Sequence, residues 1–506
     1  MNGLERTPRR HRLAALILLA WLGAMAWLVQ RQVRGPDPRA ALASWPVPPG
    51  AAFQAIHISG RHVGLASQTI DTLKDGLRVT DLVTVNLPDA EARGGRRNST
   101  LVRARYSRNL RLRSWDSDLL AGRGRVATEG TVSGDTLLLV VVTPLDEPSE
   151  TLQVTLGRPV ILATAVGLLA ASQGLPRVGD RFRAQVFDPF DLELRMERVV
   201  VAAESVFTVT DSAEFNTALR RWTSAHRDTV RAWRLETQVH GLPEQRWIDA
   251  SGMTVLLRHP LGATLDRTAF EIANSGLRGS ARPRWDTSAT APRFLGTNTP
   301  ALTAPRLAVA LSLVSGGPIP INTTALEGGT QRRWADTLIA EPRLGPGTLS
   351  TAPEDSALLT VPDSAIRQLA HRLQGSSVDP PTVARAMSEW VRRTITLRSG
   401  PGLRSASGVL QARTGSEPDR VTLLLALARA ADWPARTAWG LARTRSGWEL
   451  RGWAEVHLTD WVPLDPNQPA PLAADRIRLA TGGQARLIEL ALRAGELRLT
   501  PVEDHP

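Results

Sequence analysis

Arg413-Thr414-Gly415-Ser416-Glu417-Pro418-Asp419, then Val421–Ala431 (VTLLLALARAA), then Asp432-Trp433-Pro434-Ala435-Arg436: this stretch decides how the chain is read. Ser416 is a good N-cap, and an acidic residue in the first turn gains ~0.3–1 kcal/mol from the helix dipole. The run that follows is apolar nearly all round, which predicts a buried helix. Upstream, Ser364–Leu373 and Pro381–Arg393 carry apolar residues at three and four spacing, with Trp390-Val391 on the inner face. Ser405-Ala406-Ser407-Gly408-Val409-Leu410 stands between them and the quoted stretch. Downstream, the texture predicts strands at Thr437–Leu441, Trp448–Arg451 and Trp453–Leu458, before Trp461-Val462-Pro463-Leu464-Asp465-Pro466-Asn467. Helices followed by strands make this an α+β unit.

Further upstream the signals belong to strands. Leu77–Val85 is rich in β-branched residues, Leu137–Val142 is a short continuous apolar run, and Leu192–Glu197 alternates with period two. Val230–Val239 and Gly252–Arg258 continue the pattern, with turns at Ser133-Gly134-Asp135 and Ala250-Ser251-Gly252. Ala163–Ser172 reads as a helix crossing the sheet. Sequential strands with short turns imply mainly antiparallel pairing. Trp247-Ile248-Asp249-Ala250-Ser251-Gly252-Met253, with Pro260-Leu261-Gly262 after it, resembles a phrase of bacterial exported curved-sheet domains of the lipoprotein-carrier-like type. That resemblance implies a concave apolar surface able to hold a lipid or a chain; an ordinary β-domain core is the plainer reading. Residues 281–363 are rich in Pro, Thr and Gly, with strands expected at Leu307–Val314 and Thr337–Ile339.

At the other end, Leu13–Gln30 is an uncharged run (LAALILLAWLGAMAWLVQ) behind Arg6, Arg9, Arg10 and Arg12. As a helix it spans roughly 27 Å, enough for the hydrocarbon layer. The preceding arginines favour an N-terminus left in the cytoplasm. A cleaved signal peptide, with Ala24-Met25-Ala26 as its A-x-A site, is the alternative. The apolar run continues through Trp27, Leu28 and Val29, which favours an uncleaved anchor. The Pro-rich stretch that follows reads as a stiff tether.

Composition narrows the chemistry. The 506 residues hold no cysteine, which removes disulfides, thiolate metal sites and every thiol nucleophile. The net charge of +12 is carried almost wholly by arginine spread along the chain, Lys74 being the lone lysine. No basic patch or reader motif appears, so no nucleic acid is expected as a partner. His57 and His62 stand five apart without a third ligand beside them in sequence. Neither a P-loop, a G-x-G-x-x-G nor an H-E-x-x-H occurs, and no cofactor or metal is expected.

The order of phrases between 365 and 475 resembles the transglutaminase-like family, in the bacterial exported branch of the papain-type superfamily. The family pattern is R-x-G-x-C, a helix, G-I-P-A-R, H-A-W-x-E-V, then W-V-x-x-D-P. Arg413-Thr414-Gly415-Ser416-Glu417 matches the first phrase with Glu417 at the cysteine position. Arg451-Gly452-Trp453-Ala454-Glu455-Val456 matches the fourth with Arg451 at the histidine position, and Asp465 is the retained third member. The family chemistry needs a thiolate activated by an imidazole that a carboxylate orients. Ser416 beside the nucleophile position lacks a base, because Arg451 stays protonated and His457 is roughly 20 Å further along the strand.

The resemblance implies that Val421–Ala431 packs on an antiparallel sheet containing Thr437–Leu441 and Trp453–Leu458. It also implies that Arg451 and Asp465 lie near the helix N-terminus, where a Glu417–Arg451–Asp465 ion bridge would suit arginine's planar fork. The expected architecture is α+β and multidomain: cytoplasmic residues 1–12, a transmembrane helix at 13–30, a Pro-rich linker at 31–52 and a mainly antiparallel β domain at 53–280. A β-rich spacer at 281–363, a transglutaminase-like domain at 364–475 and C-terminal strands at 476–506 complete it. The expected function is that of an inner-membrane, single-pass, extracytoplasmic protein, catalytically inactive, that binds or helps assemble envelope components. Its partners would be the bacterial membrane and an envelope protein, peptide or lipid. The alternative is an envelope enzyme acting on peptide or glycan through Glu417, Arg451 and Asp465.

Overall fold

The computed structural model describes residues 48–502, except 59, 88–95, 122–123, 135, 143–148, 173, 240–241, 260–261, 279–292, 295–305, 314–325, 342–362, 377–378, 399–401, 403, 445–446, 470–473, 485, 488–489 and 491–496. The apolar run Leu13–Gln30 and most of the linker lie outside the described residues. Among the described residues no helix is long and apolar enough to cross a membrane.

Fifteen strands, from Gly50–Ile58 to Ala263–Thr268, form one sheet. The first eight, through Glu150–Thr155, run as a meander. The chain then passes to the opposite edge, where Val160–Leu162 pairs parallel with Arg181–Asp188. A second meander returns until Ala263–Thr268 pairs with Gly50–Ile58, Phe53 opposite Thr268. Flat, fifteen strands would be about 65–70 Å wide. Yet the two edge strands are joined by only Leu156–Pro159, a link that reaches at most about 18 Å. The sheet is therefore rolled, and its inner face surrounds a core of Val79, Tyr106, Trp115, Leu137, Ile161, Val186 and Trp233.

The expected crossing helix is a 3-10 turn, Ala163–Ala165, running into the helix Val166–Ala171, all six residues of which are buried inside the roll. It lies close because Gly167 and Gly252 are both glycine: a Cβ on Gly252, whose φ is +84°, would come within 2.7 Å of the Gly167 carbonyl oxygen. Asp249 holds that turn, accepting from Ser251 N (2.9 Å) and Met253 N (3.0 Å) while pairing with Arg267 at 2.6 Å. The phrase around Trp247 thus forms the turn against which the chain's own helix is seated. The cavity beside that helix, about 100 Å³, is lined largely by charged residues, Arg195, Glu197, Glu244 and Arg246.

The C-terminal part has a four-stranded antiparallel sheet in the order Trp461–Leu464, Gly447–His457, Ala435–Thr444, Arg476–Thr481. Helices Ser364–Gln374, Pro380–Thr394 and Ala406–Ala412 surround the helix Glu417–Ala430, whose Leu423, Leu424 and Leu427 are fully buried with Ala454, Val456 and Leu464 of the sheet. Trp448–Arg451 and Trp453–Leu458, expected as two strands, are one continuous strand. Gly452 does not break it; it makes room for Trp439, whose ring a Cβ there would meet at 2.5 Å.

The spacer and the C-terminal strands also differ from the expected division. Leu307–Leu313, Gln331–Trp334, Thr337–Ala340, Leu497–Pro501 and Arg293–Phe294 make one five-stranded sheet. Its Val309, Leu311 and Leu499 pack with Trp439, Leu441, Ile477 and Leu479, while Arg476–Thr481 completes the four-stranded sheet. The rolled sheet meets this half through Glu150 on its edge strand, which accepts from the Ser405 backbone N–H at 3.0 Å.

Candidate functional site

The N-terminus of the Glu417–Ala430 helix is fixed by reciprocal capping. Ser416 Oγ accepts from Asp419 N (3.3 Å), and Asp419 Oδ2 accepts from Ser416 N and Oγ, both at 2.8 Å. Asp419 Oδ1 also accepts from Arg404 N at 3.1 Å, so its carboxylate is spent on holding the turn. Burial pushes that carboxyl above the usual range, against the pull of these donors. The cap places Glu417 at the mouth of the helix with its side chain 42% exposed.

Arg451 reaches this mouth from the middle of Gly447–His457. Its Nη1 lies 3.4 Å from Glu417 Oε1, and its Nε and Nη2 donate to Glu449 Oε2 at 3.0 and 2.8 Å. Burial would lower its pKa, but Glu417, Glu449 and Asp465 outweigh burial and raise it. A guanidinium so placed stays protonated and cannot act as a base. Asp465 sits in the same locality, buried, its Oδ1 accepting from Asn467 N (2.8 Å); Asn467 Nδ2 in turn donates to the Glu417 carbonyl at 3.3 Å.

The three positions are thus brought together, but the expected single bridge is two. Arg451 joins Glu417 to Glu449, whereas Asp465 pairs with Arg476 (3.5 Å), which also pairs with Asp475 (3.0 Å) and lies 5.1 Å from the Trp453 ring centre. The reason is strand geometry. Glu449 is two residues from Arg451, so their side chains share a face. Arg476 stands opposite Ala442, which is itself opposite Glu449, and so projects beside them.

A second cluster escaped the sequence reading. Glu455 is buried between Arg436, whose Nε and Nη2 approach its Oε2 at 2.9 and 2.8 Å, and Arg478, which hydrogen-bonds its Oε1. Arg436 also stacks on Trp461, 4.0 Å from the ring centre. The signal was available: charged residues inside phrases otherwise built of apolar strand residues. His457 packs edge to face against Trp461, ring centres 5.2 Å apart. In the rolled sheet, His57 and His62 lie 5.0 Å apart ring to ring with Asp266 3.3 Å from His57 Nδ1. Among the described residues no group of three or more His, Asp or Glu is placed to hold a metal.

The site is thus a capped helix mouth facing a central strand of an antiparallel sheet, with an aspartate at the end of the next strand. Residues 367–466 match the Transglutaminase-like superfamily. A solved structure from Cytophaga hutchinsonii, described as a proposed cysteine protease, is similar at 16% identity over 40% of this chain and 86% of that one, with a TM-score of 0.23. No curated protein matches the chain.

Proposed function

We propose that the chain is a membrane-anchored, extracytoplasmic protein whose transglutaminase-like domain has no amide-transfer chemistry and serves in binding or envelope assembly. The observation that carries this reading is the Glu417–Arg451 ion pair at the positions where the family has its thiol and imidazole. Nothing in a chain without cysteine can supply the thiolate. A carboxylate enzyme built on Glu417, Arg451 and Asp465 is less well supported, since Asp465 is engaged by Arg476 and Arg451 stays charged. Anchoring in the inner membrane rests on Leu13–Gln30 and its preceding arginines, with the bulk of the chain outside.

Two measurements test this. Wild-type protein should show no hydrolysis or transfer on glutamine-containing peptides, and Glu417→Gln should cost about 0.5–1 kcal/mol, as expected for a partly exposed pair. That variant should keep the biological role, and the paired change Glu417→Cys with Arg451→His should be the only form to gain turnover. Amide turnover by wild type that is lost in Glu417→Gln would reject the inactive reading. For topology, a reporter fused after residue 60 should work only outside the cytoplasm; activity confined to the cytoplasm would reject the anchor orientation.

A further inference from the structure

The longest hairpin leaves the rolled sheet. Glu193–Asn216 and Arg221–Val239 pair all the way to Asn216 opposite Arg221. Their outer neighbours stop much earlier, at Val200 opposite Arg181 on one side and Trp233 opposite Ile248 on the other. From Ser205, opposite Ala232, outward the ribbon is two strands alone. Its base is held, with Phe207 against Trp247 (ring centres 4.9 Å apart) and Val209 clustered with Val255 and Leu256. Its tip is not covered: Phe215 is 50%, Leu219 55% and Trp222 37% exposed, with the Phe215 and Trp222 rings packed edge to face at 5.5 Å. The turn is ordered by Asn216, whose Oδ1 accepts from Leu219 N at 2.9 Å, and it carries Arg220 and Arg221 side by side.

We propose that this tip, Phe215, Leu219 and Trp222 with Arg220 and Arg221, docks on the anionic phospholipid surface of the bilayer that holds the N-terminal apolar segment. The inference rests on the membrane reading given above. Aromatic and aliphatic side chains beside paired cations suit the interface, where rings sit at headgroup level and guanidiniums meet lipid phosphates. Chain geometry agrees. Gly50, where the described strands begin, lies against Met253, just past the Ile248 that pairs with Trp233. The chain thus enters the sheet at the end from which the ribbon departs. The dozen ribbon residues Arg221–Ala232 reach about 40 Å. The twenty or so residues between Val29 and Gly50 reach up to about 65 Å when extended, so a chain fixed in the bilayer has length enough to let the tip touch it.

The absence of cysteine makes the test clean, because one introduced thiol is unique. The full chain carrying Leu219→Cys, labelled with an environment-sensitive fluorophore, is reconstituted into vesicles of phosphatidylcholine with and without phosphatidylglycerol. Lys74→Cys, on an exposed turn of the same sheet, is the control. The tip label should shift to the blue and be quenched by headgroup-proximal spin-labelled lipid in phosphatidylglycerol vesicles, while the control does not respond. Arg220→Glu with Arg221→Glu should weaken this, by about fivefold for each arginine near an anionic surface, while leaving the chain in the vesicle fraction. A chain that floats with vesicles yet keeps a water-like tip signal overturns the proposal and leaves the anchor reading standing. If the chain fails to float, the anchor reading fails; a tip response to added vesicles would then still support the proposal, and none would overturn it. A shift that follows protein concentration without lipid marks contact between copies and overturns it.

Discussion

Glu455→Ala is expected to unfold the C-terminal layers under conditions in which the rolled sheet persists. The substitution leaves the Arg436 and Arg478 guanidiniums without the carboxylate they share. Removing one partner of a buried ion pair costs about 3–5 kcal/mol, a large share of a domain's stability. The carbonyls of Glu327 and Gly328, which accept from Arg478 Nη2, cannot replace the lost charge. Denaturant unfolding followed through the tryptophans should show an early transition absent from wild type. Acid gives a second readout. Burial alone would push the Glu455 carboxyl up, but the two guanidiniums outweigh it and hold it below the usual carboxylate range. Its contribution is therefore complete above the ordinary value near 4.3 and is lost as pH falls through the lower folded value. An unchanged unfolding midpoint in Glu455→Ala would show that the cluster holds nothing together.

The second large effect has the opposite sign. Asp81 is buried in the rolled sheet, and burial pushes its pKa up to about 6 against the pull of its polar neighbours. Its Oδ1 accepts from Gln68 Nε2 at 3.0 Å, and Thr164 and Arg246 add to the downward pull without offsetting burial. A folded value above the unfolded one, near 3.9, means that the stability held below pH ~4 is lost as pH rises through 6. The loss at neutral pH is about 2–3 kcal/mol. Asp81→Asn keeps an acceptor for Gln68 and removes the charge, so it should stabilise the protein by most of that amount at pH 7.5 and by almost nothing at pH 4. Equal thermal stability of the two proteins at pH 7.5 would refute the account.

What could be read from the residues was local. The Ser416 cap, the apolar helix behind it, the β-branched run at Leu77–Val85 and the short strand at Thr337–Ile339 are patterns within a few residues, and each element stands where those patterns put it. The meeting of Glu417 with Arg451 was legible because ordered phrases imply a known packing of helix on sheet. Which carboxylate each arginine takes was not. Glu449 wins Arg451 and Arg476 wins Asp465 through side-chain facing set by strand register, and register is not written in either residue. The joining of 307–313, 331–340 and 497–501 into one layer was hidden for the same reason, since pairing partners nearly 200 residues apart leave no local trace. Gly452 misled because a glycine in a strand can end it or admit a neighbour's ring, and only the position of Trp439 decides.

Phe53 stands opposite Thr268, and this pairing governs how the chain must come into being. One side of the Gly50–Ile58 strand finds its neighbour almost at once, in Arg61–Leu73. The other side has none until more than two hundred further residues have been made. At ordinary rates of synthesis that interval is roughly 10–40 s. Throughout it, an apolar strand edge offers unsatisfied backbone groups to any other chain nearby, the situation in which β proteins aggregate. A nascent chain of this topology is thus one that a holding chaperone would protect, and its vulnerable window closes when the strand ending at Thr268 arrives.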